Sequence, residues 1–123
     1  MKKNITLNWL KKPESHDYTA AVSYLSLMYP EKDAKKFVIK LRAAEMSSFK
    51  AKDIFRASAL SLLGISNYHV ETDRTKIKSG TKLSPILLVR ESKTGHVIIA
   101  DGYHRLCAVY SFDEDAVIPC KIV

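Results

Sequence analysis

Cysteine is scarce in this chain, and the two that occur, Cys107 and Cys120, do not form a CxxC pair. Neither a disulfide framework nor a cysteine-based zinc site is expected, and both residues read as small buried hydrophobes. Histidine is also sparse: His16, His69 and His96 lack the spacing of metal ligands, so no metal site is read from them. No stretch approaches the roughly 18 apolar residues that a membrane span requires. The opening Met1-Lys2-Lys3-Asn4-Ile5-Thr6-Leu7-Asn8-Trp9 is too polar for a secretory signal, which leaves a cytoplasmic location as the expectation. There is no internal repeat and no low-complexity tract. Acidic residues are in deficit, with 13 Asp and Glu against 20 Lys and Arg, a net charge of +7.

That charge favours anionic partners: phosphates, nucleotides or nucleic acid. The lysines are spread along the chain, as on a solvated surface, so nucleic acid is not the favoured partner; a footprint for it would need them on one face. The length of 123 residues suits one domain, and 46% hydrophobic with 27% charged residues is ordinary for a globular protein.

Four prolines and four glycines punctuate the reading. Residues 1–16 read as an irregular arm pinned by Trp9 and Leu10. Asp17 is a candidate N-cap for a helix in which Tyr18, Ala21, Val22, Leu25 and Met28 share one apolar face. Pro30 ends that helix and opens a second, with Ala34, Phe37, Val38, Leu41 and Ala44 on its apolar face. Residues 17–45 are thus expected to form a helical hairpin. Phe49-Lys50-Ala51-Lys52 alternates as a half-buried strand would, residues 53–60 suit a short helix or a turn, and 69–78 suit a helix stopped by Gly80. Ile86–Arg90 and His96–Ala100 read as strands of a hairpin turned by Ser92–Gly95. Tyr103–Ser111 reads as a helix and Val117–Val123 as a last strand, with Pro119 placing it at a sheet edge or at a bulge.

The informative segment is Ile98-Ile99-Ala100-Asp101-Gly102-Tyr103-His104-Arg105-Leu106. A strand ends, a glycine turns the chain, and a helix begins whose first amides have no intrahelical acceptor. The helix dipole adds partial positive charge there. Gly102 allows close approach to the backbone, and His104 and Arg105 bring donors, Arg with a fork that fits phosphate. The sum is an anion site. The plainer reading stands beside it: Asp101 as an N-cap, His104 as a satisfied surface histidine, and Arg105 paired with Asp113 or Glu114. Cys107 shares a stripe with Tyr103, Leu106 and Tyr110 and reads as core.

Three runs, Leu83–Val89, Ile99–Arg105 and Ile118–Val123, with Phe49–Ile54 before them, resemble in order and direction the ParB/sulfiredoxin superfamily. The likeness covers residues 47–123; residues 1–46 stand outside it as a helical extension. It implies an α+β fold, a small mixed sheet with flanking helices, here preceded by the helical hairpin. Gly102, His104 and Arg105 fall on shared positions, and Asp101 matches the Asp-Gly-x-His-Arg loops of the free-serine kinases and DndB-type proteins. Tyr103 stands where sulfiredoxins carry their cysteine, so sulfiredoxin chemistry is not expected. ParB proteins bind and hydrolyse a cytidine nucleotide at the matching loop; their arginine pair is not present as such.

What the resemblance implies is a nucleotide- or phosphate-binding loop of Gly102, Tyr103, His104 and Arg105, with Asp101 as the catalytic candidate. Lys52 and Arg56, after the first strand, are further candidate ligand contacts. The cofactor implied is a nucleoside triphosphate with Mg²⁺, and the reaction a phosphotransfer or nucleotide hydrolysis. Two alternatives are a non-catalytic interaction module, with the hairpin as a docking or homodimerisation element, and a nucleic-acid-binding accessory protein. Fold-level likeness does not transfer function.

Overall fold

The computed structural model describes residues 5–64 and 66–123. The reading of the N-terminus as too polar for a signal, and the start of the irregular arm, fall in part on residues 1–4, outside the described residues. From Ile5 onward the arm is tied down by a short parallel bridge between Trp9 and Leu83. Leu10 N donates to Leu83 O and Leu83 N to Asn8 O, both at 2.8 Å.

The chain then runs α1 (Ser15–Leu25), α2 (Glu31–Ala43), β1 (Ser47–Lys50), α3 (Ala51–Ser58), α4 (Tyr68–Lys78), β2 (Ile86–Glu91), β3 (His96–Asp101), α5 (Tyr103–Phe112) and β4 (Val117–Ile122). The four strands form one mixed sheet in the order β1-β4-β2-β3. β1 is antiparallel to β4, β4 parallel to β2, and β2 antiparallel to β3. The fold is therefore α+β, and the strands and helices follow the expected order. Among the described residues no helix is long and apolar enough to cross a membrane.

Both faces of the sheet are covered, which is why β2 begins as an unbroken apolar run. Alternation sends Leu87 and Val89 of β2, with Ala100 of β3, to one side, where they pack with Tyr18, Ala21, Leu25, Ala34, Val38 and Leu41 of the helical hairpin. Ile86, Leu88, Ile99, Ile118 and Cys120 face the other side and meet α3, α4 and α5. The hairpin is thus a layer of the fold. Leu25 and Leu41 have no exposed surface, so truncating either to Ala would cost about 2–5 kcal/mol. Lys121 points to the hairpin side, 7% exposed, and its Nζ donates to Arg42 O at the end of α2 at 2.9 Å. The same ammonium lies 5.7 Å from the Tyr18 ring centre, and the Arg42 guanidinium 4.3 Å from it.

Three local expectations are corrected. Asp17 is not the N-cap of α1; Glu14 is, and Asp17 sits at the third helical position, its side chain accepting from Glu14 N at 3.0 Å. Phe49–Lys52 is not a half-buried strand: β1 is exposed along its length and stops at Lys50. Lys50 faces Val117, the first residue of β4; beyond it Ala51 N donates to Ala116 O at 2.9 Å and Lys52 N to Glu114 O at 3.0 Å, outside β4, and Ala51 starts a helix. Pro119 marks neither an edge nor a bulge, because β4 lies between β1 and β2. Its ladder to β2 begins one residue later, at Ile86 and Cys120, so the missing N–H precedes those bonds.

Candidate functional site

The register of β2 and β3 slips by one residue: Leu88 faces Ile99, whereas Leu87 faces Asp101. Ala100 is the extra residue of a β-bulge, a device that re-aims the side chain beside it. Asp101 consequently shares the side of Leu87, toward the helical hairpin. There Arg105 Nη2 donates to its Oδ2 at 3.0 Å, and the negative charge of Asp17 disfavours its ionisation. Asp17 is 2% exposed. It accepts from the Ser84 hydroxyl, and His16 Nε2 stands 3.4 Å from its Oδ1.

Burial, with Asp17 adding to it and Arg105 opposing it, pushes the Asp101 carboxyl up to about 6. Asp101 is not the N-cap of α5. That position is Gly102, at φ +106°, with no side-chain cap. A Cβ at Gly102 would stand 2.3 Å from Ile86 Cγ2 and 3.0 Å from Arg105 Nη2. The glycine is required by backbone conformation and by packing on β2.

The loop forms one wall of a cavity of about 220 Å³, and α4 forms the other. From α4 come His69, Thr72, Asp73 and Lys76; from the loop and α5 come Asp101 to Arg105. The His69 and His104 rings lie 4.9 Å apart, and the Tyr103 ring is 5.5 Å from that of His104. Tyr103 also donates its hydroxyl to Ser61 O, tying the loop before α4 to α5. Burial and the neighbouring His69 hold the His104 imidazole below its ordinary range, with Asp73 opposing. Burial raises the Asp73 carboxyl, against the pull of Lys76, Arg105 and the two histidines. Lys76 Nζ is 3.9 Å from Asp73 Oδ1. Arg105 also reaches Pro85 O at 3.5 Å, yet its Nε is buried with no hydrogen-bond partner among the described residues.

The structure brings together Asp101, Gly102, Tyr103, His104 and Arg105 of the residues singled out from the sequence. It does not bring Lys52 or Arg56 to them. Lys52 pairs with Asp115 at 2.7 Å and Arg56 with Asp53 at 3.6 Å, and neither lines the cavity. Arg105 pairs with Asp101 rather than with Asp113 or Glu114. Cys107 is buried in the core, its thiol raised chiefly by that burial. Among the described residues no three His, Cys, Asp or Glu side chains converge as metal ligands would.

Sequence reasoning missed the α4 wall and Asp17. The α4 residues carried a signal: His69, Thr72, Asp73 and Lys76 recur at i, i+3, i+4 and i+7, one polar helical stripe. Asp17 carried none, because its partner lies on β3. Set against protein-family models, curated proteins and solved structures, the chain matches none of them.

Proposed function

We propose that the cavity between α4 and the start of α5 binds the phosphoryl group of a nucleotide or other phosphorylated small molecule, and that the protein transfers or hydrolyses that group. One observation carries this reading: Lys76, His69, His104 and Arg105, from two helices, converge on a small polar cavity at the amino end of α5. The first-turn amides and the helix dipole add to it. The likeness of the Asp-Gly-x-His-Arg loop to the ParB/sulfiredoxin superfamily supports the same reading, at the level of resemblance.

The chemistry follows from the environments. His104, held toward its neutral form, is able to take the proton of an attacking hydroxyl or water at neutral pH as the new P–O bond forms; the P–O bond to the leaving group breaks, and the leaving oxygen departs with the electron pair, its charge met by the cations of the cavity. Asp101, its carboxyl raised to about 6, is ionised at neutral pH, and the Arg105 guanidinium that donates to its Oδ2 offsets that charge beside an incoming phosphate. A Mg²⁺ arriving on phosphates would meet only Asp73 and Asp101, two carboxyls whose burial disfavours charge. That donor set does not suit a metal held by the protein alone, and no step here uses one.

The test is calorimetric titration of inorganic phosphate, ATP, CTP and GTP, each with and without Mg²⁺, into wild type and Lys76→Ala. The Lys76 side chain is 53% exposed, so the variant keeps the fold. At least one phosphate ligand is expected to bind, and the variant to bind it about tenfold more weakly, roughly 1.4 kcal/mol. No binding by wild type, or equal binding by the variant, would sink the proposal.

A further inference from the structure

A second cavity, of about 400 Å³, adjoins the first and shares Asp101, Gly102, Tyr103 and His104 with it as a common wall. Its remaining lining is Ala20 and Tyr24 of α1, Leu60 after α3, and Ile99 and Ala100 of β3. We propose that this chamber holds the organic part of the phosphorylated ligand, a flat and largely apolar ring, with Tyr24 as its specificity-determining contact. The proposal rests on the anion-site reading above and assigns the helical hairpin a direct part in recognition.

Four features point to a ring rather than to a second anion or a sugar. The chamber's own walls carry no lysine and no arginine, in contrast to the polar cavity it joins, so charge is sorted between the two. Tyr24 and Leu60 are 40% and 43% exposed, so the fold itself leaves their apolar surface uncovered. An aromatic face and an aliphatic side chain favour a planar π system over a polyol. β3 has a strand neighbour on one side only, and at an edge strand the outward N–H and C=O groups are free to read a polar ring edge. Size agrees as well: a phosphate alone would leave the chamber unused, whereas a volume near 400 Å³ is in the range of small-molecule sites, roughly 300–1,000 Å³. A nucleoside mono- or diphosphate has this division into an anionic and a flat apolar part.

Wild type, Tyr24→Ala and Ala20→Leu would be titrated with inorganic phosphate, ribose 5-phosphate and the four nucleoside 5′-monophosphates. Positions 20 and 24 are exposed, so both variants keep the fold. One nucleotide or more is expected to bind wild type at least tenfold more tightly than ribose 5-phosphate does. Tyr24→Ala, which removes the ring, and Ala20→Leu, which fills the chamber, should abolish that margin and leave phosphate affinity unchanged. Should nucleotides bind no more tightly than ribose 5-phosphate while phosphate still binds, the chamber proposal falls and the anion site stands. Retention of the full margin by both variants overturns it too. Failure of phosphate and every ester to bind removes both readings together.

Discussion

Gly102 is the residue on which the site's geometry turns. Its positive φ and the Ile86 side chain standing where a Cβ would go act together. Gly102→Ala is expected to lower stability by about 3 kcal/mol, from left-handed strain plus overpacking. Gly95, also at positive φ but with open space within 4 Å of where its Cβ would stand, supplies the comparison. Gly95→Ala should lose only the backbone part, about 1–2 kcal/mol. Urea unfolding of both variants checks this, and equal losses would mean that the Ile86 contact yields at no cost. Asp101 sets a pH dependence at the same scale. Its raised value means that the folded chain binds more protons than the unfolded one between about 4 and about 6. Its contribution to stability is present below about 4 and is lost as pH rises through about 6. The lowered His104 acts in the opposite sense, favouring the fold as pH rises. Asp101→Asn isolates the first effect: the melting temperature of wild type relative to the variant should fall across that window. A constant difference would contradict the assignment.

At the scale of elements, the β2–β3 hairpin, α5 and β4 were legible because their signals are local. Ile86–Val89 and Val97–Ile99 are β-favouring runs, and Gly95 and Gly102 mark turns at positive φ. The loop at 101–105 was legible for the same reason, since a strand, a glycine and a helix follow one another within a few residues. What escaped was tertiary. Nothing near Phe49 announces that β4 begins at Val117, and nothing near Pro119 shows which strands flank it. Asp17 reads as a cap because capping is the local use of an aspartate at a helix start; its influence on Asp101 depends on the bulge at Ala100. Lys121 is a further case, a basic residue in a strand that ends by holding another element. Lys121→Met removes the donor to Arg42 O and leaves that carbonyl short of a partner. The expected loss is about 1–3 kcal/mol, read as a lower urea midpoint with the slope unchanged. A midpoint equal to that of wild type would show that the hairpin is held by its apolar face alone.

Across the whole molecule, the candidate site is assembled from all three layers. α1 supplies Asp17 and Tyr24, the sheet supplies Asp101, and α4 and α5 close the far side. The sheet order has a consequence for how such an assembly comes into being. β1 and β2 each pair with β4, the last strand of the described chain, and not with each other. As the polypeptide leaves the ribosome, β1 has no hydrogen-bonding partner until residues 117–122 emerge, some 70 positions later. The β2–β3 hairpin is able to form early, but the parallel ladder that locks Leu87 and Leu88 waits for Lys121 and Ile122. Closure of the sheet is therefore a non-local event, and a chain stalled before Val117 would leave β1 without a strand partner and the β4-facing edge of β2 open to its neighbours.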